Sequence, residues 1–115
     1  MCMNRMILLS ITLLCVNAGP SPKPISLNIR TAEDLAVACS ASPTSAGNAA
    51  LLNFCNGFAQ GVLQTTQQKI CFPKPPPKRS ETMKQFAAWV QADTARRKEV
   101  ASASFIKFMT ERFPC

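Results

Sequence analysis

Apolar residues recur through the middle of the chain at helical spacing. Leu51, Cys55, Phe58 and Val62 fall at i, i+4, i+7 and i+11 on one stripe. Leu52, Ala59 and Leu63 flank that stripe on one side, and Ala50, Phe54, Gly57 and Gly61 on the other. Only the strip Asn53, Asn56, Gln60, Gln64, Gln67 is polar. The pattern predicts a helix over about 48–69. An apolar arc that wide predicts that this helix is the central one of a bundle.

Three shorter helical patterns surround it. Thr31 precedes Glu33 and Asp34, a capping residue ahead of acids in a first turn, and Leu35 and Cys39 then share a face. A turn-rich loop follows at 40–47. Downstream, Ser80 is placed to cap a third helix that buries Met83, Phe86, Ala87 and Val90, with Trp89 beside them. Asp93-Thr94 restarts the chain into a fourth helix using Ala101, Phe105, Phe108 and Met109, which ends at Phe113-Pro114-Cys115. No segment alternates with period two for long. The expected fold is all-α: a small up-and-down bundle of about four helices over residues 31–115.

The N-terminus follows a different pattern. Arg5 precedes the ten-residue apolar run 7–16, too short to span a bilayer, and Val16-Asn17-Ala18 suits a signal peptidase. The expectation is a signal peptide over 1–18, cleaved after Ala18, in preference to an N-terminal anchor. Residues 19–30, with Pro20, Pro22 and Pro24, read as an extended arm. The mature chain is then exported and periplasmic, with no stable membrane insertion after cleavage.

Export changes the meaning of the cysteines. The chain has six, and cleavage removes Cys2 and Cys15. Four cysteines in a small exported protein imply two disulfides. In an up-and-down bundle Cys39 and Cys55 share one end, and Cys71 and Cys115 the other. A 55–71 bridge would run along one helix for roughly 24 Å at 1.5 Å per residue, beyond disulfide reach. A 39–71 bridge would join opposite ends. The expected pairs are therefore Cys39–Cys55 and Cys71–Cys115.

Composition excludes most chemistry. With 13 basic and 6 acidic residues the formal charge is +7, and there is no histidine. The acids sit mostly at helix starts or ends, where the dipole accounts for them. With the cysteines spent on disulfides, no nucleophile–base pair or metal set remains. The chain is expected to be no enzyme and to hold no cofactor and no metal. Export and the lack of aromatics interleaved with the basic groups argue against nucleic acid.

What remains is surface. No charged residue occurs between Asp34 and Lys69, so Asn53, Asn56, Gln60 and Gln64 form either a plain solvated face or one that desolvates cheaply against a partner. Gly57 and Gly61 suit either a homodimer seam or close packing within the monomer, and the second is the preferred reading. Lys74, Pro75, Pro76, Pro77, Lys78 and Arg79 make a stiff, basic segment. It is either a rigid connector or a polyproline plug with little entropy to lose on docking. Arg96, Arg97 and Lys98 form a second basic cluster, placed at the start of the fourth helix, the end the dipole disfavours for cations.

Several of these residues carry a family resemblance. Cys39, then Cys55 with Gly57-Phe58-Ala59-Gln60-Gly61-Val62, then Ile70-Cys71-Phe72-Pro73, a helix, and a terminal Arg112-Phe113-Pro114-Cys115 resemble the Rap/Tai family of bacterial type VI secretion immunity proteins. The resemblance spans about 31–115. It implies a small, disulfide-bonded, helical periplasmic protein, often dimeric, that binds and blocks a peptidoglycan-cleaving effector. Two features depart from the family pattern: a proline expected near Asp93 is missing, and the loop after Pro73 is unusually rich in proline and basic residues. The implied function is occlusion of a secreted cell-wall hydrolase, an amidase or similar. The alternatives are a periplasmic acid-stress holdase, or an exported helical domain without a toxin.

Overall fold

The computed structural model describes residues 28–115; the expected signal peptide and residues 19–27 of the arm lie outside the described residues. Five helices follow in order: α1 (Ala32–Cys39), α2 (Asn48–Thr65), α3 (Arg79–Gln91), α4 (Thr94–Arg97) and α5 (Ala101–Arg112). Among the described residues there are no strands, only two isolated bridges, Thr31 with Val100 and Ile70 with Pro114. The all-α expectation holds, and so do both disulfides. Cys39 and Cys55 lie 5.2 Å apart at Cα, and Cys71 and Cys115 lie 5.0 Å apart, within the ordinary range for a bridge.

α1 starts as its sequence directs. Thr31 accepts from the Asp34 N–H at 3.2 Å, and the Asp34 carboxylate accepts from the Thr31 N–H at 3.0 Å, the reciprocal capping box. This short helix, not α2, is the centre of the molecule. Ala32, Leu35 and Ala36 are fully buried, and α1 packs against the other four helices. Its alanines let neighbouring backbones come close, which a helix of large side chains does not allow.

The expectation that α2 is central is overturned. Only Cys55 and Ala59 of this helix are buried, while Leu51, Leu52, Phe54, Phe58, Val62 and Leu63 are half-buried. A wide apolar arc shows that a helix needs cover. It does not show that its own chain supplies the cover. Gly57 and Gly61 are likewise not close-packing sites: a Cβ built on either meets nothing within 4 Å.

Three helix boundaries differ from the sequence reading. α2 stops at Thr65, four residues early, because the Thr65 and Thr66 hydroxyls both donate to the Val62 carbonyl, at 2.8 and 3.0 Å, and so compete with the helical ladder. α3 takes Lys78 as N-cap, with Ser80 already inside the first turn; the Lys78 carbonyl accepts from both the N–H and the hydroxyl of Thr82. The predicted fourth helix is split into α4 and α5. The Ala32 N–H donates to Glu99 O at 2.8 Å and the Ala101 N–H to Arg30 O at 3.0 Å, which draws residues 98–100 out to pair with the last residues of the arm. The split moves Arg96 and Arg97 from an expected helix start to the last turn of α4, the favourable end for cations.

Aromatic rings tie α3 to α5. Phe86 meets Phe105 edge-on at 5.4 Å and Phe108 at 5.5 Å, and Trp89 meets Phe108 at 5.5 Å. Arg96 caps this cluster, with its guanidinium 4.1 Å from the Trp89 ring and a hydrogen bond to the Trp89 carbonyl.

Candidate functional site

The segment between α2 and α3 is fixed at both ends. At its start, the Cys71 N–H donates to Phe113 O at 2.9 Å, Ile70 bridges Pro114, and the disulfide joins Cys71 to Cys115. At its finish, Lys78 becomes the N-cap of α3. Between them the loop does not run straight. It bends at Lys74 and Pro75, whose peptide bond is cis. Pro76 and Pro77 then lie over α2, sharing a cavity with Leu63. The stiff, basic segment of the sequence reading is thus a strap bent at Lys74 and Pro75, joined to α2 by a shared cavity wall and by Arg79.

This geometry unites two surfaces that sequence reasoning treated separately. Arg79 Nη2 donates to Gln60 Oε1. Gln60, Gln64 and Gln67 share one shallow depression with Phe72 and Arg79. Lys74, Pro75, Pro76, Lys78 and Arg79 are exposed, and Pro77 is half-buried. Asn53 and Asn56 are exposed as expected, but they lie further down α2: Asn53 is seven residues before Gln60, about 10 Å along the axis. The amide strip therefore joins the strap only through its C-terminal half.

Electrostatically the surface is one-sided. The one ion pair among the described residues is Arg96 with Asp93, at 3.7 Å. Lys74, Lys78 and Arg79 have no carboxylate partner among them. No group of three or more possible metal ligands occurs among the described residues, and no helix among them is long and apolar enough to cross a membrane.

Phe72 is the site residue that the sequence reading passed over. It is 42% exposed, meets the Phe113 ring at 5.0 Å with the planes tilted by 53°, and borders three adjoining depressions. The available signal was its position between a bridged cysteine and a proline, two residues that fix the backbone and leave the ring little choice of direction.

Neither the curated proteins nor the solved structures contain a match to the chain. A family model, however, spans everything from the Thr31 cap to the closing cysteine. It describes the Rap1a immunity proteins and matches residues 31–115, so the chain belongs to the family of Rap1a immunity proteins.

Proposed function

We propose that the protein is a periplasmic antidote to a type VI secreted, peptidoglycan-degrading effector, an amidase or similar, and that it acts by covering the effector's active-site cleft. It reaches the periplasm through the signal peptide, cleaved after Ala18. The contact surface is the strap Lys74, Pro75, Pro76, Pro77, Lys78 and Arg79 together with Gln60 and Gln64, and Asn53 and Asn56 extend it along α2. The observation that carries this reading is the Arg79–Gln60 hydrogen bond, because it makes a cationic strap and an uncharged amide face into one surface. Such a surface steers by charge at its rim and desolvates amides, not ions, at its centre. A strap held by a disulfide and by prolines gives up little conformational entropy on docking.

The half-covered α2 supports self-association as well. Gly57 and Gly61 offer an open backbone beside half-buried Phe54 and Phe58, which suits the same helix of a second copy.

The cognate effector can be captured from secreted proteins with the oxidised chain as bait. Replacing Lys74, Lys78 and Arg79 with Ser and Pro75-Pro76-Pro77 with Gly-Ser is expected to weaken that complex at least ~10-fold at low salt, about 1.4 kcal/mol, with the helical spectrum retained. Unchanged affinity in a folded variant would make the strap a connector and nothing more.

A further inference from the structure

Beneath the strap lies a cavity of about 250 Å³. Leu63 of α2, Phe72, Pro76 and Pro77 of the strap, and Met83 and Met109 of α3 and α5 line it. Fully buried Ala59 also lines it. Thr82, the one hydroxyl in the lining, is satisfied by the Lys78 carbonyl at 3.2 Å. The interior therefore presents no free polar group to direct a polar ligand. No carboxylate borders it; Arg79 does, and Lys74 and Lys78 lie exposed on the same strap.

Size, lining and rim together restrict the occupant. The volume is below the roughly 300–1,000 Å³ of pockets that take drug-sized ligands or cofactors, and it suits a single large side chain. Two methionines in the wall can adjust to the shape of such a group. Cations at the rim without a carboxylate partner, Arg79 bonding only the neutral Gln60 amide, favour carboxylates next to it. We propose that this cavity is the receptor for one aromatic or large aliphatic anchor residue, flanked by acidic residues, on the surface of the effector protein. The inference rests on the immunity reading, and it makes the strap the roof of a socket as well as a cover for the effector's cleft. Anchor residues seated in such pockets supply a disproportionate share of binding energy at interfaces.

The test uses short probes and no effector. The oxidised protein is titrated with a blocked Asp-Phe-Asp tripeptide while the Met83 and Met109 methyl resonances are followed by NMR. Both methyls are expected to shift saturably. A blocked Lys-Phe-Lys peptide is expected to bind at least ~5-fold more weakly, a blocked Asp-Ala-Asp peptide to leave both methyls in place, and Arg79→Gln to shrink the preference for acidic flanks. Ala59→Phe, which fills the cavity, is expected to abolish the shifts; should that variant not fold, Leu63→Trp fills the cavity from its more exposed side. No saturable shift, equal binding of the basic peptide, or equal binding of the alanine peptide would each overturn the proposal. Binding of decanoate without binding of Asp-Phe-Asp would also overturn it, by making the cavity a lipid site. The immunity reading fails separately, by failure of the chain to protect cells from the effector, a result these peptides do not touch.

Discussion

The fold alters the titration of Asp34. Hydrogen bonds from the Thr31 backbone N–H, and then from the Arg30 N–H at 3.1 Å, hold its carboxyl below its ordinary range. A lowered native value means that Asp34 contributes its full stabilisation above the unfolded value, and that this is lost as pH falls through the lower folded one. The stability gap between wild type and Asp34→Ala in urea unfolding is therefore expected to be largest near neutrality and to close in strong acid. Thr31→Ala removes the other half of the capping box and is expected to cost about 1 kcal/mol. The glycines separate by conformation in the same assay. Gly47 has φ 83° at the N-cap of α2, so Gly47→Ala is expected to cost roughly 1–2 kcal/mol. Gly57 and Gly61 sit in regular helix with open space before them. Alanine at either is expected to stabilise a monomer by roughly 0.5–1 kcal/mol. If a second copy packs there, the same substitutions weaken association, which sedimentation resolves.

At the scale of elements, the Cys71–Cys115 bridge governs the candidate surface. It closes a loop with a sequence separation of 44, worth about 4 kcal/mol in the chain-entropy model, against about 3 kcal/mol for the Cys39–Cys55 loop. Replacing Cys71 and Cys115 with Ser together is expected to lower the melting temperature more than replacing Cys39 and Cys55. It also frees the base of the strap, so hydrogen exchange is expected to rise at Cys71→Ser and its neighbours while the Phe86 region stays protected. Much of this arrangement was legible in the sequence. The pairings followed from helix direction alone, because a bridge depends on which ends coincide. The α1 cap followed from Thr31 and Asp34, whose hydrogen bonds are local. The rank of the helices did not follow: the stripe from Leu51 to Val62 reports a need for cover, whereas the buried centre is made of small Ala32 and Ala36, which carry little hydrophobic signal. The split of the last helix was equally hidden, since residues 98–100 are drawn away by Arg30 and Thr31, some seventy positions earlier. The Arg79–Gln60 contact was hidden for the same reason, being a bond across 19 positions that depends on how the strap bends.

For the whole molecule, the decisive experiment is exposure to acid. The chain carries only six Asp and Glu residues against 13 Lys and Arg. Protonating all six raises the formal charge from +7 to +13, and self-repulsion then favours expansion. Acid unfolding, however, is driven mainly by carboxylates that the native state holds ionised. Here Asp34, whose value is lowered, is exposed, and the single ion pair among the described residues, Asp93 with Arg96, is half-exposed at the surface and of the kind worth little. Against the repulsion stand an aromatic core without ionisable groups and two cross-links worth together about 7 kcal/mol in the chain-entropy model. Helical content near pH 2 is therefore expected to remain close to that at pH 7 while the disulfides are intact, and to fall only after reduction. Far-UV circular dichroism of the oxidised and reduced chain checks this directly. A cooperative loss of helix in the oxidised protein between about pH 4 and pH 2, with new suppression of client aggregation, would instead mark an acid-activated holdase. It would also mean that the strap and its socket serve a protein that works by unfolding, a role incompatible with a surface whose affinity depends on being held rigid.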